Sequence, residues 1–328
     1  MAILIISNSD DVSTTLLIKW LQYYKASYYR CNSAINNNDS FSVSIDNSKT
    51  AIDYYHNTEI NVVWHRRDSF EILHSYDQKG SFLTKNEHNY FFDHQSKERD
   101  VIKDFIISRW EEIKVLPENF SVNKLNLLQI AKGYGIQIPE TLITNNKKEL
   151  ENFMFKHKNV ITNSLSDNIE VKVKKNKFLQ YTIKVEEDII QNLEEFFFPS
   201  LFQKAIQKKV ELRIFYLNGA FYSMAMFTQK NNRTEVDFRH YDSKNPTRNV
   251  PFKLPENIEN KLDKLMRHAN LNTGSIDMIL TEKNEYFFLE VNPIGQYGMT
   301  SVPCNYNLNK IIANYLIKED DKISKKTK

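Results

Sequence analysis

Residues 275–296 read SIDMILTEKNEYFFLEVNPIGQ. Two apolar stretches, SIDMIL and EYFFLEVN, flank the polar turn TEKNE, which is the pattern of a β-hairpin. Side chains alternate along a strand, so Phe287, Leu289 and Val291 are expected on one face and Tyr286, Phe288, Glu290 and Asn292 on the other. The hairpin brings Asp277 alongside Glu290 and Asn292. Two carboxylates and an amide oxygen form a hard oxygen set that suits Mg²⁺ when substrate phosphates complete its shell. The plain alternative is a surface hairpin with polar strand ends. Against it stands the cost of a bare carboxylate closing a greasy strand without a cation.

Working outward, VELRIFYL and AFYSMAMFT upstream read as further strands, as does LFQKAI. A polar loop is expected over 230–251. A helix is expected over 256–270, with Ile258, Leu262, Leu265, Met266 and Ala269 on one face. A short helix is expected from Leu308 to Ile317, followed by a frayed tail, EDDKISKKTK. Segment 145–195 is polar and lysine-rich, with strand-like pieces at 169–173 and 178–185, and suits a small mobile lobe. Ser121 is the expected N-cap of a helix ended by Gly133 or Gly135. At the start, AILII reads as a buried parallel strand, Asp10, Asp11 and Ser13 as helix-start residues, and SFSVSI and NVVWHRR as strands. Helical pattern resumes over 85–115. The expected organisation is an α/β lobe at 1–118, a central lobe at 119–195, a C-terminal lobe at 196–318 and a tail at 319–328.

The chain has 328 residues, room for two or three lobes with a cleft. Its 44 basic and 41 acidic side chains are interspersed, unlike the basic face of a nucleic-acid binder. No nucleic acid partner is expected. The two cysteines, Cys31 and Cys304, give neither a disulfide framework nor a zinc site. No window resembles a signal peptide or a membrane span, so a cytoplasmic location without membrane contact is expected. The absence of HExxH, GxSxG and P-loop sequences excludes zincin, hydrolase and Walker-type readings.

With these residues in view, Asp277 and LEVNP resemble the metal signature of ATP-grasp ligases. LFQKAIQKKVELRIFYLNG resembles the hinge and following strand of that family, VDFRHYD resembles the stretch carrying an arginine near the transferred phosphate, and VNKLNLLQIAKGYGIQIPETLIT resembles the opening of the ATP-binding half. FLEVNPIGQYG, DFR and VVWHRR are most similar to the graspetide synthetases, microviridin-type peptide-modifying ligases, and among them to the grasp-with-spasm maturases. The resemblance spans nearly the whole chain and is weakest at 25–60 and 75–115.

It implies an ATP-grasp α/β fold behind an N-terminal pre-ATP-grasp lobe, with ATP and Mg²⁺ as cofactors. Gln203, Lys204, Ala205 and Ile206 would border adenine; Glu211 and Arg213 would reach ribose and phosphates. Lys124 and Arg239 would face phosphates, and Asp277, Glu290 and Asn292 would hold metal. Arg66 and Arg67, at a strand end, would receive an acidic peptide, the alternative being ordinary ion pairs. One departure stands out: Asn163 occupies the place of the family's phosphate-contacting lysine, and Lys172 or Lys174 would substitute. The implied activity is ADP-forming ligation of Asp or Glu side chains of a precursor peptide, with leader and acidic core, to Ser, Thr or Lys side chains. The rivals are an ATP-grasp ligase for a small molecule or protein terminus, and a non-catalytic ATP-binding regulator. A homodimer is left open.

Overall fold

The computed structural model describes residues 2–32, 34–35, 42–45, 50–53, 60–66, 71–72, 84–108, 113–166, 170–173, 176–179, 182–228 and 247–326. The chain forms two compact units, one of residues 1–118 with 307–328, the other of residues 119–306.

In the first unit, β1 (Ala2–Ser7) is buried at every position. It pairs in parallel with β2 (Tyr28–Asn32) and β3 (Ile60–His65), and β3 pairs in parallel with β4 (Lys114–Leu116). Between β1 and β2 runs α1 (Val12–Tyr23), capped by Asp11, whose Oδ1 accepts from the amides of Ser13 and Thr14. The helical stretch expected over 85–115 is α2 (Lys85–Ser108), with β4 beyond it.

The second unit opens with α3 (Lys124–Gly133). Its cap is Asn123 rather than Ser121, with Oδ1 accepting from the amides of Leu125 and Asn126. The shift has a packing reason. Val122, just ahead of the cap, and Leu127, in the first turn, join the same hydrophobic cluster, which fixes where the chain enters the helix.

Then come β5 (Thr141–Asn146), α4 (Lys147–His157), β6 (Val160–Asn163) and β7 (Phe196–Lys204). These strands form an antiparallel sheet in the order Ile183–Lys184, β6, β7, β5. A separate pair joins Glu170–Val173 to Asn176–Leu179. Residues 196–204, expected to open the C-terminal lobe, thus pair as β7 with β5 and β6.

A second antiparallel sheet follows: β8 (Val210–Leu217), β9 (Ala220–Phe227), β10 (Arg248–Phe252), β11 (Thr273–Leu280) and β12 (Tyr286–Asn292), in the order β10-β9-β8-β11-β12. A two-residue Asn218–Gly219 turn with positive φ at both positions (43° and 93°) joins β8 to β9. The α5 helix (Glu256–His268) buries Ile258, Leu262, Leu265 and Met266 against one face of this sheet, together with Leu127, Leu128 and Ala131 of α3. The other face bears the site, with Met224 and Met226 packed beside it against Cys304, Met299 and Tyr306.

The last helix, α6 (Leu308–Lys326), runs through the stretch expected to fray and belongs to the N-terminal unit. Its first half is fixed by burial of Leu308, Ile312, Ala313 and Leu316. Its second half has few apolar residues. There the Asn61 amide donates to Asp320 Oδ1 (2.7 Å) and Ser324 Oγ (3.1 Å).

Candidate active site

On the face of the second sheet opposite α5, alternation places Glu211 and Arg213 of β8 side by side. Glu211 lies opposite Ile279 and Met226, and Arg213 opposite Asp277 and Met224. Asp277 in turn lies opposite Glu290 on β12. The expected strict alternation of β12 does not hold. A register shift between Asp277 and Met278 leaves Leu289 as an extra residue, so Phe288 and Val291 both enter the core and Leu289 joins Glu290 and Asn292 on the cavity. Such a bulge re-aims side chains at a strand end; here it adds an apolar wall beside the carboxylates.

The cavity measures about 560 Å³ and lies between this face and the sheet of β5–β7. Ile161, Ile206, Met226, Ile279 and Leu289 supply apolar lining, while Lys124, Lys208, Glu211, Arg213, Asp277 and Glu290 supply charge. An apolar slot continuous with a charged wall can hold a planar ring and a charged tail together. The connection from β7 to β8 is fixed by backbone bonds: the Lys204 amide donates to Glu140 O (2.9 Å) and the Ala205 amide to Asn159 O (3.0 Å). Gln203 is buried, and its Nε2 donates to Thr141 Oγ1 at 3.0 Å.

Three cation–carboxylate contacts line the wall. Arg213 Nη1 meets Asp277 Oδ2 at 2.5 Å, and Lys124 Nζ meets Glu290 Oε2 at 2.9 Å. Lys208 bonds Glu211, which also accepts from Thr228 Oγ1 at 3.1 Å. Burial raises the Glu211 carboxyl above the usual carboxylate range, against the pull of Lys208. Arg213 Nε is buried and has no hydrogen-bond partner among the described residues. A buried guanidinium nitrogen in that state suits an incoming anion.

The structure thus gathers Lys124, Gln203, Lys204, Ile206, Glu211, Arg213, Asp277, Glu290 and Asn292 on one cavity, with Ala205 between two lining residues. Arg239 and Arg67 lie outside the described residues, as do Lys174 and the side chain of Lys172. Arg66 is in the other unit, and its guanidinium, 2% exposed, lies 3.6 Å from Asp11. Asn163 does line the cavity, its Oδ1 accepting from the Ser164 amide at 2.8 Å. Sequence reasoning missed Lys208, whose side chain is only 9% exposed on the same wall. Its neighbour Lys209 gave no signal by which to tell the two apart.

Among the described residues there is no group of three His, Cys, Asp or Glu side chains that could hold a metal alone. Asp277, Glu290 and Asn292 fit a Mg²⁺ ion nonetheless, because oxygen donors too few to close a shell are what a metal shared with phosphates requires. Among the described residues no helix is long and apolar enough to cross a membrane.

With this geometry the class is defined: the fold is the ATP-grasp fold. The chain is similar to a Chryseobacterium gregarium RiPP-associated ATP-grasp ligase in complex with ADP and a leader and core peptide, at TM-score 0.79 and 24% identity over 98% of this chain and 97% of that one. It is also similar to the macrocyclase MdnC of Microcystis aeruginosa MRC bound with precursor peptide MdnA, at TM-score 0.76 and 24% identity over 97% and 100%. A third similar structure is the ATP-grasp ligase PsnB with a phosphomimetic variant of minimal precursor, Mg and ADP, at TM-score 0.75 and 14% identity over 98% and 99%. No family model matches the sequence. No curated protein matches it either.

Proposed function

We propose that this chain is an ATP- and Mg²⁺-dependent, ADP-forming ligase that joins Asp or Glu side chains of a precursor peptide to Ser, Thr or Lys side chains of the same peptide. The observation that carries the reading is the cavity in which Asp277, Glu290 and Asn292 share one wall with Lys124, Lys208 and Arg213. Support comes also from three similar ligases that match nearly end to end, two of them solved with ADP and all three with a precursor peptide or its leader and core.

A carboxylate is a poor electrophile, and bound ATP supplies the phosphoryl group that converts it to an acyl phosphate with a stable leaving group. The chain's own residues then have distinct tasks. Asp277, Glu290 and Asn292 would hold Mg²⁺, which would supply charge neutralisation for phosphoryl transfer. Lys124, Lys208 and Arg213 present fixed positive charge where negative charge builds up. Ile161, Ile206, Met226, Ile279 and Leu289 exclude water from the base-binding part of the cavity. Gln203, Lys204 and Ala205 set the edge against which a nucleobase lies. The sheet of β5–β7 serves as the cover that keeps water from an activated acid.

The test is incubation with short leader-bearing peptides rich in Asp or Glu and in Ser, Thr or Lys, with ATP and Mg²⁺. Each bond formed lowers peptide mass by one water and releases ADP and phosphate, and the loss disappears when the core acids become Asn or Gln. AMP and pyrophosphate as main products, or a gain in peptide mass from added amino acids, would overturn the reading.

A further inference from the structure

The turn from β8 to β9 carries a chemistry of its own. Of the chain's 7 glycines, only Gly219 follows an asparagine. Asparagine is thermolabile, and most so before glycine, which has no Cβ to keep its amide nitrogen away from the asparagine Cγ. Asn218 and Gly219 are exposed, with φ of 43° and 93°. We propose that Asn218 is a deamidation site that the fold holds closed, through the backbone geometry of the turn and a hydrogen-bonded chain from Tyr216 to Arg267. No residue of the turn lines the cavity, so the site does not depend on what the cavity binds.

In deamidation the Gly219 nitrogen bonds to Asn218 Cγ, the Cγ–Nδ2 bond breaks, and ammonia leaves with the proton that Gly219 gave up. Water then opens the cyclic imide at either carbonyl, leaving aspartate or the isomer whose main chain runs through Cβ. Ring closure requires the Gly219 nitrogen on the same side as Asn218 Cβ. A two-residue turn with both φ positive is type I′, which sets the first ψ at about +30° and holds that nitrogen nearly opposite Cβ. The turn must therefore open before it can react.

Several contacts oppose opening. The Asn218 amide donates to Asn272 O at 2.7 Å, and Thr273 Oγ1 donates to Tyr216 O at 3.0 Å. Tyr216 Oη donates to Asp263 Oδ1 at 2.7 Å, and Asp263 Oδ2 accepts from Arg267 Nε at 2.7 Å. Asp263 Oδ1 and Arg267 Nη2 each lie 3.7 Å from the place of a Cβ on Gly219, so this chain of bonds runs along the turn. The Gly219 amide hydrogen, the proton the reaction must remove, is directed at the Tyr216 oxygen. Burial, then the bond to Asp263, pushes the Tyr216 hydroxyl up, so it stays protonated and takes no proton from Gly219.

The test follows the tryptic peptide 214–230 by mass during long incubation of the whole protein at neutral pH. The deamidated form is heavier by the difference between a hydroxyl and an amino group. Wild type in guanidinium chloride should gain that mass at least roughly tenfold faster than folded wild type, and Asn218→Gln should not gain it. Folded Tyr216→Phe, which keeps the ring in the core, should gain it roughly three- to tenfold faster than wild type, the range for one lost hydrogen bond. Leu150→Val, a core change in the other sheet's lobe, lowers stability without touching the turn and should leave the rate at the wild-type value. Asp263→Ala replaces Tyr216→Phe if melting curves show that the latter does not fold. Equal rates in folded and denatured wild type, a Tyr216→Phe rate no higher than wild type, or an equal rise in Leu150→Val would each overturn the proposal.

Discussion

Lys208 and Lys209 are adjacent and chemically identical, yet their side chains are 9% and 45% exposed. The buried one reaches the cavity from the stretch that follows β7, where Asn163 on β6 offers only a neutral amide already bonded to the Ser164 backbone. Lys208 thus becomes the candidate for the cation that Asn163 does not provide. Lys208→Met should weaken ADP binding roughly ten- to hundredfold, the range for losing a charged hydrogen bond, and should also lower the melting temperature, because the buried Glu211 loses its counter-ion. Adding Asn163→Lys to that variant should recover most of the loss. An unchanged affinity would make Lys208 merely the counter-ion of Glu211. The carboxylates were easier to read than this lysine. Asp277, Glu290 and Asn292 stand out because each interrupts an apolar strand, whereas a KK pair on a polar stretch gives no clue to which side chain turns inward.

At the scale of elements, the end of β12 depends on a glycine whose need is invisible in sequence. After Asn292 the chain folds back, with the Gly295 amide donating to Asn292 O at 3.0 Å. A Cβ at Gly295 would lie 2.4 Å from Ser275 Cβ and 2.9 Å from Asn292 O. Ser275 is buried on β11 two residues from Asp277, so relief requires moving either strand end that bears the metal candidates. Gly295→Ala should cost about 1–3 kcal/mol of stability by overpacking and should weaken Mn²⁺–ADP binding with it. Gly133 is the contrast: nothing lies within 4 Å of a Cβ placed there. Gly133→Ala should raise stability by about 0.5–1 kcal/mol, since alanine loses less backbone entropy in a helix. Denaturant melts of the two variants settle the comparison, and a Gly295→Ala protein as stable as wild type would refute the close-packing account. The hairpin itself, its turn and its strand pairing were legible from alternation and the TEKNE loop. The bulge at Leu289 was not, because a two-residue period has no way to announce one extra residue.

Across the whole molecule, the class of fold was readable because long apolar strands and an amphipathic α5 dominate the second unit. What escaped was the reach of α6. Its second half, KEDDKISKK, carries little apolar periodicity, and the contact that holds it comes from Asn61, more than 250 positions away (259 to Asp320). Asn61 is itself only 7% exposed, so its amide needs those acceptors. Truncation after Ile317 should therefore destabilise the N-terminal unit by about 1–3 kcal/mol, the cost of stranding a buried donor. If the Asn61 bonds carry that loss, Asn61→Ala should cost a similar amount in the full chain and little more in the truncated one, because both changes remove the same interaction. Chemical denaturation of the four proteins of this cycle gives the coupling energy directly. Additive losses would mean that the end of α6 stabilises the unit through other contacts, and that Asn61 is satisfied without it.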